Sequence, residues 1–165
     1  MYNRRVSKSH PRVEAYGTVD ELNAAIGLAR ATSKEKFIAE NLLALQKDLV
    51  ILMGELATTI EDLPRYGKDG FSVVTPQMTV RVEALIKEIE AQNITYKGWA
   101  TPGASVASAS LDLARTTCRR AERRVSTLQE AKELPNAEIL IYLNRVADLL
   151  WLMARWVEEK GVEGS

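Results

Sequence analysis

The groups best suited to chemistry in this sequence are concentrated in LDLARTTCRRAERRVS, residues 111–126. Five arginines surround one glutamate there, Glu122, and lysine is absent from residues 111–131, although lysine would serve a solvated helix face equally well. The planar, permanently charged guanidinium is favoured where a carboxylate or phosphate is bound through two hydrogen bonds. The run therefore fits either a surface helix stabilised by Arg–Glu pairs or a polyphosphate or interface site, and the residues alone leave both open.

Helical periodicity divides this segment into two faces. At 3.6 residues per turn one face is polar and carries Arg115, Arg119, Glu122 and Ser126. The opposite face is small and apolar enough to pack in a bundle, and consists of Val106, Ser110, Leu113, Thr117, Ala121 and Leu128. Of the three other arginines, we expect Arg120 and Arg124 to lie towards this packed side, closer to a neighbouring helix or subunit than to open water.

Two further segments show the same division. The C-terminal segment has an apolar face of Ile139, Val146, Leu150, Met153 and Val157 and a polar stripe of Asn144, Asp148, Trp151 and Arg155. Near the N-terminus, the polar and small residues oppose Leu22, Ile26 and Ala29, and are Asp20, Asn23, Ala24 and Gly27. Small residues beside a polar stripe allow another group to approach closely. These stripes favour a binding or interface site without excluding a solvated surface.

The elements that carry the stripes are predicted to be five helices. Glycine and proline are sparse, at 9 and 5 residues, and fall between long periodic segments, which is typical of an all-α protein. The predicted ranges are 18–31, 34–60, 76–93, 104–129 and 137–160. The first begins with the capping box TVDE at Thr18, and the third with Thr75 as N-cap and Pro76 at the first helical position. Residues 61–70 and 93–103 are expected as loops, and the short connections predict an antiparallel bundle.

Composition narrows the class of protein. The 165 residues suit one domain, residues 1–165, and 22 basic residues balance 22 acidic ones, which counts against a nucleic-acid-binding bundle. One cysteine, Cys118, excludes an internal disulfide and fits a reducing compartment. With a single histidine as well, a Cys/His zinc site is not expected. No signal peptide or membrane-spanning run is found, so we expect a cytoplasmic protein with no membrane partner.

Three segments together resemble one family. RVSKSHPRVEAYGTVDELNAAIGLAR (5–30), ARTTCRRAERRV (114–125) and YLNRVADLLWLMAR (142–155) look like the signature blocks of the propanediol-utilisation type of ATP:corrinoid adenosyltransferase, in the same order and separation. The resemblance implies a homotrimeric five-helix bundle with an active site at each subunit interface. It implies transfer of the 5′-deoxyadenosyl group of ATP to cob(I)alamin with Mg²⁺, giving adenosylcobalamin and triphosphate. A corrinoid reductase and an adenosylcobalamin-dependent mutase are the implied partners.

The resemblance also assigns residues to the nucleotide. Lys8 matches a lysine that contacts phosphate, and Arg119 and Arg123 match arginines of the nucleotide site. Glu122 fits a partner that orients ribose or magnesium, and Asn144 matches the nucleotide-binding asparagine. Because the whole triphosphate is the leaving group, cations that stabilise its developing charge are catalytic, and we count Arg119, Glu122 and Arg123 as the catalytic residues.

The remaining assignments concern the corrinoid and the subunit contact. Trp99, in GWATPG, falls where the family has a phenylalanine that presses on the lower face of the corrinoid and expels the axial ligand. Asp148 is assigned to the corrinoid as well. Arg115 and Asp20 match a salt bridge between subunits. Trp151 and Trp156 are expected to be packing residues, and Cys118 a small buried residue.

Two departures from the family pattern affect expectations. The family's glycine-rich segment, which wraps the triphosphate, would precede residue 1, and we expect it to lie outside the printed sequence. Ala147 stands where the family has a serine, which removes one hydroxyl from the site. An alternative function is therefore a non-catalytic trimer that binds ATP or adenosylcobalamin as a sensor or chaperone.

Overall fold

The computed structural model describes residues 2, 5–95 and 99–163, with side chains as far as residue 160. Within those residues it contains six α-helices and no strand. The helices are α1 (Pro11–Thr32), α2 (Lys36–Leu56), α3 (Leu63–Lys68), α4 (Pro76–Glu90), α5 (Val106–Glu130) and α6 (Glu138–Glu163). The all-α class is confirmed, and α1, α2, α4, α5 and α6 correspond to the five predicted helices. Residues 96–98 of the predicted linker lie outside the described residues.

The first helix begins seven residues before the predicted N-cap at Thr18, so that prediction is wrong. His10 is the N-cap, and its Nδ1 accepts a hydrogen bond from the backbone N–H of Arg12 at 3.1 Å. Thr18 lies inside the helix, where its hydroxyl donates to the carbonyl of Glu14 at 2.6 Å. Threonine tolerates a helix interior because its hydroxyl can bond to the carbonyl four residues earlier.

The segment predicted as a loop over residues 61–70 is largely helical. A 3₁₀ turn, Ile60–Asp62, leads directly into α3. The buried ring of Tyr66 stacks on Phe71, with ring centroids 4.8 Å apart. Its hydroxyl lies against Gly54 of α2, where a Cβ atom would be only 2.5 Å from the Tyr66 oxygen. Tertiary packing of this aromatic ring therefore holds a short helix that local propensity alone does not indicate.

The start of α1 lies at the end of α2, and α5 and α6 run antiparallel, but α4 and α6 pack side by side in the same direction. Thr79 donates to Glu138 where both helices begin, and Trp156 Nε1 donates to Gln92 Oε1 at 2.7 Å where both end. The main interfaces join α1 to α2 and α5, and α6 to α4 and α5. The largest fully buried side chains of this core are mostly leucine and isoleucine: Tyr142, Leu22, Ile26, Ile38, Leu42, Leu45, Leu49, Leu52, Leu56, Ile89, Leu111 and Leu128.

The buried face of α5 is rotated from the predicted one. Val106 and Leu113 are 71% and 51% exposed, so their predicted packing is wrong. The face is centred instead on residues that recur every three or four positions and are fully buried: Leu111, Ala114, Cys118, Ala121, Val125 and Leu128. This rotation leaves Arg120 and Arg124 exposed in the single chain and off its packed face, although Arg120 pairs with Glu21 of the neighbouring helix α1.

A buried arginine fixes one end of the bundle. The guanidinium of Arg12 donates to the carbonyl oxygens of Leu56 at 3.0 Å and Thr58 at 3.1 Å, where α2 ends. It also donates to the carbonyl of Glu133, after the end of α5, at 2.7 Å. The start of α1 therefore lies beside the ends of α2 and α5.

None of the described helices is long and apolar enough to cross a bilayer.

Candidate functional site

Three of the predicted nucleotide residues form a connected group on α5 and α6. Arg119 Nη1 donates to Glu122 Oε2 at 2.7 Å, and Asn144 Nδ2 donates to Glu122 Oε1 at 3.1 Å. The carboxylate of Glu122 thus links the two helices and fixes the guanidinium of Arg119. The side chain of Arg119 is 48% exposed, so its other N–H groups face solvent. The structure brings these three residues together as the two polar stripes predict.

The group continues along α6 through a residue that sequence reasoning missed. Arg145 Nη2 donates to Asn144 Oδ1 at 2.8 Å and pairs with Asp148 Oδ2 at 3.0 Å. The signal was present in the sequence, because Arg145 stands three residues before Asp148, a spacing at which opposite charges meet on a helix. Arg145 ties the predicted nucleotide residue Asn144 to the predicted corrinoid residue Asp148.

A pocket of about 260 Å³ opens between α5 and α6 beside this group. Its lining combines two cations with one acid, a methyl group and an indole: Arg115, Arg119, Ala147, Asp148 and Trp151. The family's serine would add a hydroxyl at position 147, where the alanine is 3% exposed. A neighbouring hollow of about 230 Å³ shares Asp148 and Trp151. These two residues therefore form a ridge between the hollows, and Trp151 lines a pocket rather than the core.

Behind the pocket lies a second polar group that the sequence pattern did not reveal. Asp112 Oδ1 accepts from Arg115 Nε at 3.0 Å, and Asp112 Oδ2 accepts from Arg155 Nη2 at 2.5 Å. Arg155, placed on the polar stripe of α6 by periodicity, is 3% exposed, so this member of the stripe is buried. Its burial is possible because Asp112 and Glu158 both pair with it.

Cys118 is buried between α5 and α6 and is unreactive. It is fully buried, and its thiol donates to the carbonyl oxygen of Leu143 at 3.2 Å. Burial raises the pKa of the Cys118 thiol far above its ordinary value, and the nearby Glu122 carboxylate raises it further. The thiol stays protonated and is no nucleophile, which confirms the prediction of a small buried residue.

Four predicted site residues are not gathered into this group: Lys8, Asp20, Trp99 and Arg123. All four are exposed, and Trp99 is 93% exposed. Within the described residues neither Asp20 nor Arg123 has a side-chain ion pair, and Arg115 pairs with Asp112 of its own chain; the salt bridge of Arg115 with Asp20, expected between subunits, stays a prediction. Lys8 precedes α1 near the end of α5, whereas Trp99 precedes the start of α5. The two therefore lie beside opposite ends of α5, a helix about 37 Å long.

The arrangement is suited to binding a multiply charged anion. Arg119 and Arg123 lie one turn apart on the exposed side of α5, and guanidinium groups bind phosphate oxygens through paired hydrogen bonds. Among the described residues no group of three His, Cys, Asp or Glu side chains is placed to hold a metal ion. In the connected group of Arg119, Glu122 and Asn144, the one carboxylate is that of Glu122, which contacts Asn144 of α6.

Comparison with known sequences identifies relatives that belong to one family. The family model described as cobalamin adenosyltransferase matches residues 1–157. The corrinoid adenosyltransferase of Citrobacter freundii is 37% identical over 155 residues, covering 94% of this chain and 85% of that protein. The corrinoid adenosyltransferase of Bacillus subtilis is 37% identical over 166 residues, covering 98% and 81%. The corrinoid adenosyltransferase PduO of Salmonella typhimurium is also 37% identical, over 156 residues, and the chain spans only 44% of its length.

Solved structures share the fold. A variant of the PduO-type ATP:corrinoid adenosyltransferase from Lactobacillus reuteri, complexed with cobalamin and ATP, gives a TM-score of 0.83 at 31% identity. The match covers 95% of this chain and 85% of that one. A second variant from the same organism, complexed with ATP, gives a TM-score of 0.84 at 29% identity, covering 97% and 88%.

Proposed function

The chain belongs to the cobalamin adenosyltransferase family, and we propose that it transfers the 5′-deoxyadenosyl group of ATP to cob(I)alamin. The products are adenosylcobalamin and triphosphate. The observation that carries this proposal is the connected group of Arg119, Glu122 and Asn144, which lies at an exposed groove between α5 and α6. The relatives of known structure bind cobalamin and ATP, so the groove and its arginines have a matching anionic substrate.

The transfer is a displacement at the C5′ carbon of ATP. The electron pair of Co(I) forms the cobalt–carbon bond, the C5′–oxygen bond breaks, and its electron pair leaves with triphosphate. Negative charge therefore accumulates on the leaving group as the reaction proceeds. The guanidinium of Arg119, which Glu122 holds in place before the reaction, stabilises that charge more in the transition state than in bound ATP, and the exposed side chains of Arg123 and Lys8 add further positive charge.

Glu122 positions Arg119, and we propose that Glu122 and Asn144 also contact the ribose of the nucleotide. The Glu122 carboxylate holds Arg119 at 2.7 Å, so the guanidinium does not have to be ordered when ATP arrives. Asn144 and Glu122 offer an amide and a carboxylate to the ribose hydroxyls. Mg²⁺ in nucleotide sites is commonly held by one or two carboxylates together with phosphate oxygens, and Glu122 fits that part. The ion would supply further positive charge to the triphosphate.

The corrinoid is proposed to lie over Trp99 and Asp148. Trp99 is 93% exposed, which is unusual for an indole without a partner to cover it. Pressed against the lower face of the corrinoid, the ring excludes water and the axial ligand, and Co(I) is then easier to form. Asp148 lies at the pocket wall beside Arg119, between the corrinoid and the nucleotide.

The site is proposed to be shared between subunits of a homotrimer built from the five long helices. Asp20 is exposed and has no ion pair within the described part of its own chain, which leaves it for Arg115 of a neighbouring copy. The position of Lys8 and Trp99 beside opposite ends of α5, which is about 37 Å long, supports the same arrangement. We place this single domain, residues 1–165, in the cytoplasm, where a reductase supplies cob(I)alamin and a mutase takes the product.

An activity measurement tests the proposal. Chemically reduced cobalamin and ATP in a magnesium buffer are expected to give the absorbance change of adenosylcobalamin with one triphosphate released per corrinoid. ATP left intact in the presence of cob(I)alamin contradicts the proposal. Calorimetry that shows ATP binding without any transfer assigns the chain to the alternative, a non-catalytic trimer that binds the same ligands.

A further inference from the structure

The buried ion pair of Arg155 and Asp112 between α5 and α6 lies beside the pocket, and the proposed mechanism does not use it. The side chain of Arg155 is 2% exposed and that of Asp112 is 3% exposed. Burying two charges is costly, and such a pair rarely stabilises a protein more than apolar residues of similar size. Its place next to the pocket wall therefore points to a role beyond stability.

The second oxygen of the Asp112 carboxylate holds a pocket residue. Arg115 donates to it through Nε at 3.0 Å, which uses the edge of the guanidinium nearest its own helix. The structure shows no other hydrogen bond of this guanidinium among the described residues. Its two terminal nitrogens are thus available, and the side chain, 29% exposed, lines the pocket with Arg119.

Arg155 makes the holding carboxylate rigid. Besides Asp112 it pairs with Glu158 at 3.0 Å, and its guanidinium lies 5.8 Å from the centre of the Trp151 ring. With three partners around it, Arg155 is confined, and its contact with Asp112 Oδ2 at 2.5 Å favours one orientation of that carboxylate. Because Arg155 holds Asp112, Asp112 in turn holds the side chain of Arg115 in one conformation.

We propose that Asp112, fixed by Arg155, is a positioning residue that sets Arg115 in the wall of the site. The inference rests on the proposed function, in which Arg115 meets Asp20 of a neighbouring copy beside the nucleotide. Asp112 touches no substrate and acts through Arg115 alone. Without the carboxylate, Arg115 samples several rotamers, and the site loses a cation placed in advance of the reaction.

A double-mutant cycle tests this role. Asp112→Asn keeps the shape of the side chain and removes its charge, and it is measured in the wild-type background and with Arg115→Lys. Lysine has no Nε–H edge contact for Asp112 to hold. We expect Asp112→Asn to lower kcat/KM for ATP by about tenfold in the wild type and by less than about twofold with Arg115→Lys. Equal losses in both backgrounds, or no loss in the wild type, overturn the proposal.

A matched control separates positioning from stability. Asp48 is also a buried aspartate, paired with Arg81 and Tyr142, and none of these three lines the pocket. Asp48→Asn is expected to leave kcat/KM for ATP unchanged, and a loss equal to that of Asp112→Asn overturns the proposal. If Asp112→Asn does not fold, Arg155→Lys, which weakens the same anchor, replaces it in the cycle.

The dissociation constant of ATP provides a readout that does not need turnover. It is measured by calorimetry in a magnesium buffer for the same four proteins of the cycle. The weakening caused by Asp112→Asn is expected to disappear with Arg115→Lys, and its persistence overturns the positioning role. A wild-type protein that fails to adenosylate cobalamin is instead a failure of the proposed function, so the two results are distinguished.

Discussion

Arg119 is the side chain on which most of the proposed chemistry depends, because it is both held in place and open to solvent. Arg119→Ala removes a positioned charge from the leaving group and is expected to lower kcat by about a hundredfold or more. Arg119→Lys keeps the charge without the planar pair of donors, so an intermediate loss is expected. The measurement is the rate of adenosylcobalamin formation at saturating ATP.

Arg124 supplies the control for that experiment. It is an exposed arginine on the same helix and lies outside the pocket. Arg124→Ala is expected to leave the rate unchanged. A loss as large as that of Arg119→Ala would mean that the total charge of α5, and not the position of one guanidinium, is what matters.

Asp48 gives a prediction about stability and pH. Burial raises its pKa, although the hydrogen bond from Tyr142 and the charge of Arg81 oppose the shift. The folded protein therefore binds this proton more tightly than the unfolded chain, whose value is near 3.8. The contribution of Asp48 to the free energy of unfolding must fall as pH rises from 3.8 through the raised value.

Urea unfolding of the wild type and Asp48→Asn between acidic and neutral pH measures this effect, because asparagine does not titrate. The free energy of unfolding of the wild type minus that of the variant is expected to decrease as pH rises. A difference that increases over the same interval contradicts the sign of the shift.

Sequence periodicity identified residues that face a groove, but not residues that hold others from behind. Periodicity placed Arg119, Glu122 and Asn144 on polar stripes, the family resemblance assigned them to the nucleotide, and the structure joins them. Asp112 was missed because it falls on the buried side of α5, where a charged residue is expected only if a partner compensates it. That partner, Arg155, is 43 residues away in the chain, and no local pattern shows such a pairing.

At the scale of the elements, the interiors of the long helices were predictable and their ends were not. The periodic apolar positions located α2, α4, α5 and α6 to within a few residues. The start of α1 was wrong because TVDE satisfies the capping-box pattern, whereas the true N-cap is a histidine, a residue outside the usual set. The short α3 was missed because its packing against α2 stabilises it, and that contact is not visible in ten residues of sequence.

Arg12 is the element-scale contact with the clearest energetic consequence. It satisfies carbonyl groups at the ends of two helices from a buried position. Arg12→Lys keeps the charge but has too few donors in the right geometry. We expect a loss of about 2–3 kcal/mol in the free energy of unfolding, since buried acceptors are left unpaired.

Urea unfolding at neutral pH measures that loss. Arg30→Lys, in the last turn of α1, is the matched control and is expected to change the same free energy by no more than about 0.5 kcal/mol. An Arg12→Lys variant as stable as its control would show that water replaces the guanidinium at these carbonyl groups.

At the scale of the whole molecule, one copy of the chain does not gather every residue of the proposed site. Lys8 and Trp99 stand at opposite ends of α5, and within the described part of one copy Asp20 of α1 makes no ion pair with Arg115. A closed ring of subunits brings these residues together, since each copy then contributes residues to two different sites. The trimer is therefore part of the proposed mechanism rather than an addition to it.

Mixed assembly of two inactive variants tests whether the site is shared. Lys8→Ala and Arg119→Ala, coexpressed in equal amounts, place one lesion on each chain. If Lys8 and Arg119 of one site come from different subunits, random threefold rings restore about a quarter of the sites. The rate of adenosylcobalamin formation per subunit is the measurement. No recovery, with mixed trimers shown to form, means that both residues act within one copy.

The claim that guanidinium groups of α5 bind the triphosphate is tested most directly by a crystal structure of the protein with ATP and magnesium. We predict phosphate oxygens within about 3.2 Å of the guanidinium nitrogens of Arg119 and Arg123, with Lys8 contributed by a neighbouring subunit. A nucleotide bound elsewhere, with Arg119 still paired only to Glu122 and its remaining N–H groups in solvent, would contradict the account.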